Sequence, residues 1–180
     1  MALKFDLDAV RLAQAAPIGQ GRVNFLVNRP SEGVHTPVED LYLDAETGIL
    51  GDRWSRTAWL KLPDGRPDPR VQVSLTNTDV MRCFAGVSGE GVFRCGDNIY
   101  TDLNLTQKAL PTGTLLEIGD AILEVSDVVN DACGKFSQRF GVEALKCIRS
   151  ELNAPLRLRG IFARIIQSGV VQIGDRVLCK

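Results

Sequence analysis

The sequence predicts a mainly β domain with α elements, an α+β fold in which a closed or nearly closed β-barrel carries a few short peripheral helices. Three observations predict it. Eight short runs of alternating or β-branched residues, bounded by Gly, Asn and Asp, recur along the chain. Helical periodicity is confined to two stretches. The 180-residue length fits one domain over residues 1–180, with no internal repeat, low-complexity tract or linker. Closing so many short strands into a barrel removes the edges that an open sheet would have to protect.

The elements follow in order. Residues 1–8 place an acid every few positions and hold no apolar run, so neither a signal peptide nor a membrane helix is expected, and the protein is expected to be cytoplasmic. Strands are expected at 21–29 and 37–43. The stretch 60–70 contains Pro63, Pro67, Pro69 and Gly65 and reads as an exposed loop. A strand at 71–75 leads into a helix over 76–84, with an N-cap residue at its start and Asp79 in the first turn, where the helix dipole favours it. Further strands are expected at 98–103, 114–118 and 121–128, the last two joined by a Gly119-Asp120 reversal. Ala144, Leu145, Ile148 and Leu152 sit at helical spacing within 131–152, and Gly141 divides that stretch into two short helices. The chain ends in strands at 160–166 and 170–178. Gln167-Ser168-Gly169 is expected to make a hairpin between them, and Gly174-Asp175 a bend in the last.

Composition narrows the chemistry. Lys and Arg number 21 against 22 Asp and Glu, a net charge of -1, which lacks the basic excess of a nucleic-acid binder. Neither a P-loop nor a G-x-G-x-x-G phosphate loop is present. The single histidine, His35, rules out a His-rich zinc site and is expected at the surface; any Cys-His or Ser-His-Asp dyad would have to use it. The five cysteines are widely spaced, with no C-x-x-C pair, and are expected as thiols in a reducing compartment.

Thiol chemistry and anion recognition remain. Cys133, in Asn130-Asp131-Ala132-Cys133-Gly134-Lys135, follows a strand and opens a helical segment, where a helix N-terminus and the Lys135 ammonium both favour thiolate; the alternative is a small core filler. Cys83 and Cys147 look like fillers, Cys179 is exposed or structural, and Cys95, flanked by Arg and Gly, is the other reactive candidate. Arg53, Arg56, Arg70, Arg157 and Arg159 stand at loop ends, where guanidinium forks meet phosphate or carboxylate, or else water.

Several short motifs then fall in a familiar order: Gly51-Asp52-Arg53, residues 71–75, Gly96-Asp97-Asn98-Ile99, residues 115–121, Cys133, residues 159–164 and residues 169–175. In that order and spacing, over about residues 20–179, the chain resembles the MOSC domain, named for the C-terminal domain of molybdenum cofactor sulfurases. The resemblance implies a MOSC-type β-barrel that binds the molybdenum cofactor (molybdopterin). Cys133 would carry sulfur as a persulfide or ligate molybdenum, and Arg53, Arg56, Gly96, Asp97, Asn98, Arg159 and Gly160 would hold pterin and phosphate. Gly160 permits either close backbone approach to a ligand or merely a bend.

The reaction implied is sulfur transfer or the reduction of N-hydroxylated compounds, on a small-molecule substrate and with no role for nucleic acid or membrane. The first needs a pyridoxal-phosphate-dependent sulfur donor of the cysteine-desulfurase kind, since no such domain is present. The second needs separate electron-transfer proteins. Two departures stand out: the family's Gly-Glu-Asn is Gly96-Asp97-Asn98, and the Pro that often precedes the cysteine is Ala132. They motivate an alternative, a small-molecule-binding or regulatory barrel that has lost the cofactor. A thiol-dependent hydrolase or transferase using His35 is a third.

Overall fold

Alternating burial along the strands shows how the sheet closes: in β8 (Ala121–Val125), Ala121, Leu123 and Val125 point inward while the residues between them are only partly covered. The computed structural model describes residues 4–86 and 89–180. In chain order the elements are α1 (Lys4–Ala15), β1 (Gln20–Asn28), β2 (Thr36–Val38), β3 (Asp40–Asp44), β4 (Gly48–Ile49), α2 (Trp54–Thr57), β5 (Val73–Asn77), α3 (Thr78–Ala85), β6 (Ile99–Thr101), β7 (Leu115–Ile118), then β8, α4 (Gly134–Phe140), α5 (Val142–Arg149), β9 (Ile161–Gln167), β10 (Gly169–Gln172) and β11 (Arg176–Cys179). The order β11-β7-β8-β9-β5-β6-β1, with β1 pairing back onto β11, makes a closed seven-stranded barrel with β2 appended. All its pairings are antiparallel except β5 with β6, where Leu75 faces Ile99. That parallel step requires a crossover, supplied by α3 and a 3-10 segment at Gly89–Cys95.

Two apolar clusters divide the interior. One fills the barrel with Leu26, Leu75, Ile99, Leu116, Leu123, Ile165 and their neighbours. The other joins the helices to the outside of the barrel through Val80, Met81, Phe84, Phe136, Ala144 and Ile148. Each large side chain so buried contributes about 1.5–3 kcal/mol of transfer free energy.

Several sequence expectations change. The run 37–43 is two strands: β2 pairs with β1, whereas β3 pairs with β10 and β4 in a separate three-stranded sheet. Gln167-Ser168-Gly169 makes no hairpin between β9 and β10, because β10 leaves the barrel for that second sheet. The Ser168 hydroxyl accepts the Ala45 N–H, and Gly169 packs so closely on Asp120 that a Cβ would lie 2.4 Å from its carbonyl carbon. The bend at Gly174-Asp175 separates β10 from β11. The helix expected at 76–84 starts at Thr78, because Asn77 is its cap and accepts the N–H groups of Asp79 and Val80. Helix α1 had no sequence forecast; Ala9 and Ala13, four residues apart, bury its inner face. The Pro-rich loop is pinned rather than wholly exposed: Lys61 bridges to Pro67, and buried Asp68 caps the 3-10 turn Pro69–Val71.

Gly160 is the tightest backbone approach in the barrel. Its φ is +95°, and a Cβ there would lie 2.1 Å from the Leu75 carbonyl oxygen, so its role is strand packing against β5 rather than ligand approach. Gly160→Ala is expected to lower stability by about 3 kcal/mol or more, through strain and steric clash together. Gly65→Ala, with a similar φ of +85° but open space around it, is expected to cost only about 1 kcal/mol. Urea midpoints at constant m-value decide both.

Candidate functional site

The site is built on a buried polar floor. Arg29, just beyond β1, donates Nε to Asp52 Oδ2 at 2.9 Å and Nη2 to Asp52 Oδ1 at 3.3 Å, while its Nη1 reaches Ser74 Oγ and the Gly96 carbonyl, both at 3.2 Å. Asp52 also accepts from Trp54 N at 2.8 Å and Asn98 Nδ2 at 3.0 Å. Asn98 returns its Oδ1 to the Ser74 backbone and hydroxyl. Each buried group meets an opposite charge or a dipole, which is what makes such a floor tolerable away from water.

Above it lies a second buried pair. Arg159 donates Nη1 to Asp97 Oδ2 at 2.5 Å and Nη2 to the Cys95 carbonyl at 2.8 Å, and its guanidinium lies 5.5 Å from the centre of the Phe136 ring. Burial pushes the Asp97 carboxyl up, and the Arg159 charge opposes that rise. Burial also acts against the Arg159 charge, but Asp97 outweighs it and holds the guanidinium protonated. Asp97 Oδ1 and Arg159 Nε are buried without a hydrogen-bond partner. Although shorter than glutamate, Asp97 still reaches a guanidinium.

Over these groups opens a cleft of about 420 Å³. Cys133 lies on one wall and is exposed; Cys95 and Cys147 are buried, and Cys83 and Cys179 are half-buried. Cys133 occupies the N-cap position of α4 with extended backbone, φ −141° and ψ 177°. Ala132 before it has φ +64°, a left-handed conformation closed to the fixed φ of proline, so the residue at which this chain departs from the family pattern has a backbone that suits the departure. Lys135 lies on the same wall with its ammonium paired to Glu32. Arg53 and Arg139 also line the cleft, and among the described residues neither is ion-paired with a carboxylate. Trp59 is 66% exposed at this cleft and packs on Phe162 with ring centroids 5.9 Å apart.

His35 is not a plain surface residue. It is half-buried in the cleft, with Nε2 only 3.0 Å from where a Cβ on Gly96 would stand. Partial burial, then the Arg139, Arg29 and Arg53 charges, push its pKa down to about 4. At neutral pH it is therefore an uncharged donor and acceptor and a weak base, which disfavours a thiolate–imidazolium couple with Cys133.

Of the residues the sequence singled out, the cleft gathers Arg53, Gly96, Asp97, Cys133 and Arg159. Arg56 lies outside its lining and donates Nη2 to the Pro30 carbonyl at 2.7 Å. Asn98 is fully buried in the floor and acts by holding Asp52 and Ser74. The backbone near Gly96 is not a set of open anion donors: Gly96 N bonds the Phe93 carbonyl and Asn98 N the Ser74 carbonyl. Arg70 spends its fork on Asp68 and Asp127. The other reactive candidate, Cys95, is 5% exposed, and burial pushes its thiol up to about 12, so it is inert filler. Sequence reasoning missed Arg29, Arg139, Trp59 and the cleft position of His35. Only Arg29 left a trace, as a cation ending a long apolar strand.

The model of the MOSC domain family matches residues 69–178. Among solved structures, YuaD from Bacillus subtilis superposes with a TM-score of 0.65 at 19% identity, covering 90% of this chain and 96% of that one. YiiM from Escherichia coli superposes with a TM-score of 0.58 at 18% identity, covering 88% and 69%, and YiiM from Geobacillus stearothermophilus with 0.59 at 14% identity, covering 89% and 75%. At these identities the likeness concerns the fold. No curated protein sequence matches the chain.

Two outcomes are expected. Iodoacetamide followed by peptide mass spectrometry should label Cys133 first in the folded protein, with Cys95 and Cys147 protected until unfolding. With one imidazole in the chain, NMR should show His35 titrating near pH 4, and Arg139→Gln should move that midpoint upward. Because the folded value lies below the ordinary 6.5, the unfolded chain takes up this proton first as pH falls. The His35 contribution to stability is therefore complete above pH 6.5 and is lost as pH drops toward 4, which His35→Gln should abolish in pH-dependent denaturation.

Proposed function

This chain belongs to the MOSC domain family, and from that premise we propose that it binds the molybdenum cofactor in the Cys133 cleft, with Cys133 as sulfur carrier or molybdenum ligand. One observation carries the reading: the exposed thiol shares a concave site with Arg53 and Arg139, two cations that lack a carboxylate partner among the described residues. Its volume of about 420 Å³ lies within the range of cofactor sites.

The residues fit the group. Among the described residues no cluster of three or more His, Cys, Asp or Glu side chains could hold a metal, so a metal entering this cleft must bring most of its ligands with it, as a molybdopterin does through its sulfurs. The protein then needs to supply one soft donor, and Cys133 Sγ is that donor. Buried Asp97 Oδ1 and Arg159 Nε, left without hydrogen-bond partners in the cleft lining, are groups that a polar heterocycle can satisfy. When bound, the cofactor supplies a soft metal centre suited to redox or sulfur chemistry. Arg53 and Arg139 hold its phosphate, and Trp59 against Phe162 offers a flat apolar wall.

In sulfur transfer, Cys133 takes a sulfur atom from the persulfide of a pyridoxal-phosphate-dependent donor protein and passes it on from the cleft. In reduction of N-hydroxylated compounds, electrons come from separate partner proteins. Protein purified from a host that makes the cofactor should contain molybdenum and an oxidisable pterin in comparable amounts. Arg53→Gln with Arg139→Gln should cut the retained pterin about tenfold, the loss of roughly one charge-assisted contact. Cyanide-releasable sulfur after incubation with cysteine and a cysteine desulfurase should appear on the wild type and vanish in Cys133→Ala. Protein lacking molybdenum, pterin and transferable sulfur alike would leave the small-molecule-binding barrel as the better reading.

A further inference from the structure

Behind the wall of the Cys133 cleft lies a second cavity of about 440 Å³, and residues 129–131 line both. Its lining includes Gln107, Thr112, Ser126 and Asn130, four polar side chains from separate parts of the chain, together with Arg149 and Arg157. The charges there are unevenly matched. Arg149 is paired with Asp131 and also donates to the carbonyls of Asp131 and Ala132. Asp127, the other acid in the lining, is engaged by Arg70.

Arg157 has no carboxylate partner among the described residues. It is half-buried, and its fork is held by neutral acceptors: Nη1 donates to the carbonyls of Leu110 at 2.6 Å and Leu105 at 3.5 Å, and Nη2 to Thr112 Oγ1 at 3.3 Å. Burial acts on it unopposed and pulls the guanidinium below the ordinary arginine range. The three bonds orient the side chain and leave Nε–H and one Nη2 proton without a protein acceptor. Those are the donors that a two-oxygen anion meets in a bidentate contact. A partly desolvated cation, fixed in position and missing its counter-charge in a polar concavity, is incomplete by itself.

We propose that this second cavity is a binding site for a small metabolite bearing a carboxylate or phosphate group, whose oxyanion is seated on Arg157. The hydroxyl groups of Thr112 and Ser126 and the amides of Gln107 and Asn130 provide hydrogen bonds for the remainder of such a molecule. The site is distinct from the Cys133 cleft and does not depend on what that cleft binds.

The probes are inorganic phosphate and acetate, titrated in parallel into ¹⁵N-labelled protein, with sodium chloride at matched ionic strength as control. Saturable shifts of the Thr112, Ser126 and Asn130 amides with at least one probe are expected, in the wild type and in Arg53→Gln/Arg139→Gln alike; the probe that binds more tightly identifies the oxyanion class. Arg157→Gln removes the cation but also three loop contacts, so Thr112→Glu is the second variant: it places a carboxylate beside Arg157 on an exposed position. It is expected to keep the fold by circular dichroism and to weaken the response at least tenfold. The proposal is overturned by any of three results: no saturable shift with either probe, an equal response to chloride, or an undiminished response in folded Thr112→Glu.

Discussion

The buried Arg159–Asp97 pair is the constraint around which the site is organised. Arg159 stands at the entrance to β9, and Asp97 just before β6, on the far side of β5. Their contact closes the barrel's outer face at the point where the helices pack on it. The guanidinium also ties down the Cys95 carbonyl and lies against Phe136 of α4, while the Arg159 carbonyl accepts from Asn130. One side chain thus positions the helix that Cys133 caps and the segment that leads into it. Removing either charge would strand the other away from water, a loss of about 3–5 kcal/mol for a buried pair. A hydrophobic pair could supply comparable stability, but it would orient none of these polar neighbours.

The polar floor works differently. Arg29, Asp52, Asn98 and Ser74 come from four separate parts of the chain and meet where β1, β5 and β6 adjoin. Their mutual satisfaction fixes the loop carrying Arg53, whose N–H is held by the Arg29 carbonyl. Arg53 is thereby presented to the cleft by backbone rather than by an ion pair of its own. The cleft keeps positive groups whose charge is not cancelled locally, and these same groups keep His35 neutral. Electrostatics and fold are therefore coupled: the arginines that favour an anion oppose a second cation at the same place.

The strand positions were legible because inward-facing residues recur at a period of two, which local sequence reports directly. The match is close for 114–118 against β7 and 160–166 against β9, each within a residue or two at either end. It failed where the determining contact is remote. The run 37–43 has continuous β propensity, yet Val38 and Leu41 belong to strands in different sheets. Gly169 resembles a hairpin residue, but its neighbour in space is Asp120. Helix α1 is too polar overall to announce itself, and its burial rests on Ala9 and Ala13 meeting α3 and its surroundings.

What the sequence determined by itself was the mainly β architecture, the two-helix reading of 131–152 split at Gly141, and Cys133 as the thiol standing at a strand-to-helix junction. Each is a local property, set by periodicity, by a glycine, or by position relative to a turn. Only the tertiary structure decided which charges are cancelled. Arg70 and Arg56 look like Arg53 and Arg139 in sequence, but Arg70 is matched by nearby acids and Arg56 by a carbonyl, while the other two face an open cleft. A guanidinium's role depends on what lies within a few ångströms of it, and chain closure sets those distances between residues tens of positions apart.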